Sequence, residues 1–128
     1  MKVLVDTHVF LWAMRLVPGL KPRIARQLER ADVELWLSVI SLWEIRLKLD
    51  AGKLELSGAL DWGIDGFLQG ADRLLPMSRA HALVALPDPP LTKDPFDRLL
   101  LAQCEAEGMK LLTVDKHLLS HRLAVRIA

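Results

Sequence analysis

Tyrosine is missing from this 128-residue sequence, cysteine occurs once, and aromatic residues make up only 5% of it. The lone cysteine, Cys104, excludes a disulfide scaffold and suits a reducing, cytoplasmic setting. No apolar run approaches the roughly 18 residues that cross a bilayer. The longest, Val9 to Met14, is about a third of that, so no membrane association is expected. Asp6 also interrupts the stretch that would have to be the apolar core of a secretory signal. An excess of charge of one sign is missing too: 17 Lys and Arg face 16 Asp and Glu, for a net charge of +1. Bulk charge therefore gives no argument for a nucleic-acid partner, and any such argument must come from particular residues.

What the sequence has in quantity is aliphatic. Hydrophobic residues make up 52% of the chain, and leucine alone fills 27 positions. The length suits a single domain, residues 1–128, that buries about two thirds of its unfolded surface. Lys2-Val3-Leu4-Val5 reads as a buried strand, followed by a helix over His8 to Met14. Pro18-Gly19 breaks the chain before a helix from Pro22 to Ala31. Glu34 to Leu37 is the next strand, and Ser41 is expected to open a helix that Gly52 stops. A helix diluted by Gly63 and Gly66 covers 60–70, then a short strand spans Arg73 to Pro76 and a helix Ser78 to Leu86. Pro87, Pro89 and Pro90 mark a loop. Asp94-Pro95 supplies a cap and a first-turn proline for a helix that runs to Glu107 and stops at Gly108. Lys110 to Val114 is a strand, Lys116 to Leu119 a helical turn, and Ala124 to Ile127 a last strand. Strands alternating with helices predict an α/β fold with a parallel sheet.

Two acids occupy equivalent places in this pattern: Asp6 directly follows the first strand, and Asp115 follows Leu111-Leu112-Thr113-Val114. Ligands of open α/β sheets bind outside the carboxyl ends of the strands, where both side chains would project. Glu44 and Asp97 sit in the first turns of helices that reach the same end. Four carboxylates gathered there repel one another unless cations are bound, and hard divalent ions such as Mg²⁺ or Mn²⁺ prefer oxygen ligands. Zinc is disfavoured, because His8, His81, His117 and His121 show no ligand spacing beside the acids. Each acid also has an ordinary structural reading. Ser41-x-x-Glu44 matches a capping box, Asp94 and Asp97 suit a helix N-terminus, and Asp6 and Asp115 suit strand-to-helix caps. Asp94 is assigned as a cap alone.

At these residues the sequence resembles the PIN-domain family, and within it the VapC-like toxins of bacterial and archaeal toxin–antitoxin pairs. The matching stretches are Val5-Asp6-Thr7-His8-Val9, Ser41-Leu42-Trp43-Glu44-Ile45 with Gly52-Lys53-Leu54, Asp94 through Gln103, and Thr113-Val114-Asp115. The resemblance implies a three-layer α/β/α domain whose parallel sheet has the order 3-2-1-4-5 and carries helices on both faces. It implies that Asp6, Glu44, Asp97 and Asp115 form the family's acidic quartet, as catalytic residues and metal ligands, with Thr7 and Thr113 in support. One position departs from the pattern: two residues before Asp94, where histidine is expected in this subgroup, stands Thr92.

The activity so implied is an Mg²⁺- or Mn²⁺-dependent endoribonuclease cutting RNA phosphodiester bonds, held inactive by a VapB-like antitoxin and assembled as a homodimer. Arg98 beside Asp97 and Lys116 beside Asp115 are the candidate phosphate contacts. Trp12 and Trp43 are expected in the core or an interface rather than as base-stacking platforms. Two rival readings have distinct signatures. A catalytically silent module binding RNA or protein has no need of a complete quartet. A phosphatase with an aspartate nucleophile would carry a second Asp two residues after Asp6, and His8 stands there. With the quartet set apart as metal ligands, 12 acids remain against 17 bases, leaving +5 for the rest of the chain. The near-neutral total thus divides into an acidic pocket and a mildly basic body compatible with RNA.

Overall fold

The computed structural model describes residues 1–88 and 92–127. Four parallel strands, β1 (Lys2–Val5), β2 (Glu34–Ser38), β3 (Leu74–Leu75) and β4 (Lys110–Leu112), form a sheet in the order β3-β2-β1-β4. Six helices connect them: α1 (Thr7–Ala13), α2 (Pro22–Leu28), α3 (Val39–Asp50), α4 (Leu60–Leu68), α5 (Arg79–Leu83) and α6 (Pro95–Glu107). Central strand β1 pairs Leu4 with Trp36 on one side and with Leu111 on the other. Its alternation dictates the layers, because successive side chains of a strand point to opposite faces. Val3 and Val5 join one apolar cluster with Val9, Phe10 and Leu11 of α1 and Ile24 of α2. Leu4 joins another with Leu100, Leu101 and Cys104 of α6. Both faces are apolar and both are covered by helices, as a parallel sheet requires.

Two glycines that weaken α4 as a helix have a packing purpose. A Cβ on Gly63 would lie 2.7 Å from Leu16 Cδ1, and one on Gly66 would lie 2.7 Å from Met14 Cε. The missing Cβ atoms let α4 settle against α1 and the segment after it, and Phe67 of α4 meets Phe10 of α1 edge to face at 5.6 Å. Across the sheet, the fully buried Gln103 of α6 ties three elements together. Its Oε1 accepts from the Ser38 hydroxyl at 2.6 Å, and its Nε2 lies 3.3 Å from the Pro76 carbonyl and from His81 Nδ1.

Several element boundaries differ from the sequence expectation. The cap of α3 lies three residues earlier than Ser41: it is Ser38, its Oγ accepting from Ile40 N at 3.0 Å, and the helix starts at Val39. Ser41 and Glu44 therefore form no capping box and lie inside the helix. Helix α2 stops at Leu28 and α5 at Leu83, each about three residues short of the expected end. Strand β4 ends at Leu112 rather than Val114, because the Thr113 hydroxyl accepts from Asp115 N at 3.1 Å and turns the chain. The fifth strand is reduced to a single parallel bridge, Leu111 to Ala124, on the outer side of β4. Two backbone bonds hold it, Leu111 N to Leu123 O and Val125 N to Leu111 O, both 2.8 Å. It occupies the expected edge of the sheet without extending along it. Pro89 and Pro90 of the expected loop lie outside the described residues. Among the described residues, no helix is long and apolar enough to cross a membrane.

Candidate active site

Neighbouring strands β1 and β4 both end at one side of the sheet, and the chain leaves β1 directly into α1. Asp6 occupies that junction. Its Oδ1 accepts from Thr7 N at 2.7 Å, capping α1, and its Oδ2 accepts from the Thr113 hydroxyl at 2.6 Å. Because Thr113 Oγ also accepts from Asp115 N, one buried hydroxyl couples the ends of the two strands. Asp115 Oδ1 in turn accepts from His117 N at 2.8 Å, closing the turn after β4.

The other two acids come from helices that begin beside this edge. Thr7 donates to Glu44 Oε1 at 2.8 Å and lies 2.8 Å from the Ser41 hydroxyl, so the start of α1 is tied to the second turn of α3. Glu44 Oε2 is ion-paired with Lys48, one turn on, at 2.6 Å. Asp97 stands in the first turn of α6, whose cap Asp94 accepts from Phe96 N and Asp97 N through one oxygen. Thr92, in the place where histidine was expected, accepts from Asp94 N at 3.1 Å and supports that cap.

Asp6, Glu44, Asp97 and Asp115 all line one cavity of about 440 Å³. The first three are only 7%, 5% and 8% exposed. Burial raises the Asp6 carboxyl above its ordinary range; the Thr113 and Thr7 hydrogen bonds pull it back, and Glu44 and Asp115 push it up again. Among the described residues, no donor compensates Asp97. Burial first, then the charges of Asp6, Asp94, Asp115 and Glu44, push it up to about 7. Burial lowers Lys48, but the bond to Glu44 and the charges of Glu44, Asp94 and Asp97 outweigh that, holding the ammonium above its usual value. The cavity, which Asp94 also lines, is thus a concentration of negative charge that Lys48 and Lys53 only partly offset.

A divalent cation suits this donor set. Among the described residues no three acid, imidazole or thiol side chains are grouped closely enough to cage an ion on their own. Magnesium needs no such cage, since it sheds water reluctantly and is held through one or two carboxylates with water and substrate oxygens completing the shell. Among the described residues Asp97 accepts no protein hydrogen bond and Asp115 accepts one, at Oδ1, so these two offer the freest oxygens; each oxygen of Asp6 and of Glu44 already has one protein donor and offers its second lone pair.

Arg98 and Lys116 do not join the cavity lining; both are exposed outside it. The cations in the wall are Lys48 and Lys53, and the aromatic group there is Trp12, packed edge to face on His8 with ring centroids 4.8 Å apart. Lys48 was findable from its place four residues after Glu44 on a helix. Lys53 follows Gly52, whose φ of 70° turns the chain back past the end of α3. Trp43 lies in neither the core nor the cavity and is 57% exposed.

Comparison with known proteins settles the family. The sequence model described as the PIN domain matches residues 3–122. The chain belongs to the PIN-domain family. This PIN domain is 32% identical over 125 residues to Ribonuclease VapC22 of Mycobacterium tuberculosis, an alignment covering 94% of this chain and 92% of that protein. Among solved structures, it is similar to VapBC2 of Rickettsia felis, crystallised with a DNA fragment from the promoter of those proteins. The TM-score is 0.55 at 17% identity, covering 90% of this chain and 89% of the other. FitAcB of Neisseria gonorrhoeae gives a TM-score of 0.55 at 20% identity, covering 90% and 88%. At those identities the two structures speak for the shared fold.

Proposed function

We propose that this PIN domain is a divalent-metal-dependent endoribonuclease and the toxin of a toxin–antitoxin pair. The observation that carries the reading is the cavity in which Asp6, Glu44, Asp97 and Asp115 meet at the ends of β1 and β4. Its similarity to Ribonuclease VapC22 over nearly the whole chain supports the same reading. Asp6, Asp97 and Asp115 are the proposed ligands of Mg²⁺ or Mn²⁺, and Glu44, held by Thr7 and Lys48, is a further ligand or orients the attacking water. A cation bound there supplies an acidified water and stabilises the charge that develops on the phosphodiester. The chain's own residues prepare that chemistry. Thr113 fixes the rotamer of Asp6, Thr7 fixes Glu44, and Lys48 offsets one of the four charges.

The antitoxin reading rests on the likeness to the VapBC2 and FitAcB structures and on an apolar groove between α1, α2 and α4. Met14, Leu20, Leu28 and Phe67 line it, a surface suited to the apolar face of an amphipathic helix. Trp43 and Leu47, exposed one turn apart on α3, are the proposed contact of a homodimer. The free thiol of Cys104, whose proton burial holds on more tightly than usual, suits a reducing cytoplasm.

The test is cleavage of a mixed RNA pool by purified protein freed of antitoxin, in EDTA and then in Mg²⁺ or Mn²⁺. Cleavage that appears only with metal is the expected result. Binding without cleavage in any metal would make this a silent RNA-binding module, and neither binding nor cleavage would remove RNA from the account.

A further inference from the structure

A second and larger cavity, of about 660 Å³, lies beside the carboxylate site, and Val114 lines both. It runs between the start of α2 and the chain after β4. Its charged lining consists of Lys21, Arg23, Arg122 and Arg126 with His121, and among the described residues no carboxylate contributes to it. Arg122 is held by Asp88 and Glu105, and His121 is turned to Asp88. Among the described residues, Lys21, Arg23 and Arg126 have no carboxylate within ion-pair distance. Between these cations lies an apolar floor of Ile24, Val114, Val125 and Ile127. A cationic rim over an aliphatic floor suits single-stranded nucleic acid, whose phosphates pair with the rim while the bases make only van der Waals contact with the floor, since among the described residues no Trp or Phe lines it. Val114 stands between the basic groove and the acidic cavity, so the two are neighbours on either side of one residue, an order of charge that suits a nuclease. The flanking phosphates meet cations, and the cleaved one meets the site that concentrates metal.

We propose that this groove binds the backbone of the single-stranded RNA flanking the cleaved bond, with Lys21, Arg23 and Arg126 as its phosphate contacts. The inference rests on the nuclease reading of the adjoining site and assigns where the substrate runs. It also moves the phosphate contacts from Arg98 and Lys116 to the groove.

The experiment is fluorescence anisotropy of labelled oligo(U) and oligo(A) with the full chain in EDTA, over a series of KCl concentrations. Each phosphate contact on a single strand contributes about 0.7 to the slope of log K against log salt. Arg23→Gln combined with Arg126→Gln is expected to flatten the slope by about 1.4 and to weaken binding about 25-fold at 0.1 M salt. The charge-conserving pair Arg23→Lys and Arg126→Lys is expected to keep the wild-type slope. Arg79→Gln, on α5 and outside both cavities, is expected to change nothing. Wild-type protein that binds neither strand, or a Gln pair that binds as wild type does, overturns the proposal. The same holds if the Gln pair keeps RNA but loses an oligo-glutamate peptide, which would make the groove a protein-docking surface. Cleavage in Mn²⁺ is scored separately, so a wild type that binds RNA through the groove without cutting it refutes the nuclease reading alone.

Discussion

Replacing Asp97 by Asn should make the metal-free protein more stable at alkaline pH while removing its response to metal. In the folded chain the carboxyl is pushed up to about 7, against an ordinary value of 3.8. Between those limits the native state holds a proton that the unfolded chain has released, so stability falls as pH rises from about 4 through 7. At about 1.4 kcal/mol per unit the full displacement corresponds to roughly 4 kcal/mol. The carboxylate borders a solvent-open cavity, and screening there reduces this to about 2 kcal/mol. Urea unfolding in EDTA at pH 5 and pH 8 measures it. Asp97→Asn should be more stable than wild type by about 0.8 kcal/mol at pH 5, where part of the loss has already occurred, and by about 2 kcal/mol at pH 8. Asp6 is coupled to Asp97 through its charge, so the difference reports Asp97 together with its repulsion of the neighbouring acids. At pH 8, a divalent ion at a hundred times its Kd should restore about 2.7 kcal/mol to wild type and little to the variant. A variant that is less stable than wild type at pH 8 in EDTA refutes the reasoning, because the four acids would then not be in electrostatic conflict.

Other substitutions probe the support of the site and the packing around it. Thr113→Val removes the buried donor to Asp6 Oδ2, and should cost about 1–3 kcal/mol in urea unfolding and weaken Mn²⁺ binding measured by calorimetry. Lys48→Met strips the counter-ion from the buried Glu44 carboxylate, so the metal-free protein should lose about 1–3 kcal/mol in urea unfolding, while Mn²⁺ binding tightens as the acidic cavity loses a counter-charge. Gly63→Ala drives a methyl to 2.7 Å from Leu16 and should destabilise by about 1–3 kcal/mol in thermal unfolding, without altering metal affinity.

Much of this was legible in the residues because strong local signals and tertiary contacts agree. The Asp94-Pro95 start and Gly108 stop of α6 are both in place, and so are the four strand positions. The placement of Asp6 and Asp115 at strand ends was enough to bring them together. What the sequence concealed was decided by long-range contacts. Ser41 looked like a helix cap, yet Ser38 takes that place with Gln103 bonded to its hydroxyl from 65 residues away. Ser41 is left facing Thr7, and Glu44 is freed from capping to enter the cavity. The last strand carries β-branched residues that suit an extended edge, but β4 is cut short by the Thr113 turn, so there is little strand left to pair with. Lys53 and the basic groove were hidden for a similar reason, since each depends on where a loop or tail lies against the sheet end.

The most direct measurement is the rate of RNA cleavage in saturating Mn²⁺ by wild type and by Asp6→Asn side by side. Asp6 is the acid that β1, α1 and Thr113 together hold in place, and neutralising it should lower the rate by about 10²-fold or more while the fold persists. Equal rates in the two proteins, or cleavage by wild type that continues undiminished in EDTA, would contradict a metal site built on these carboxylates.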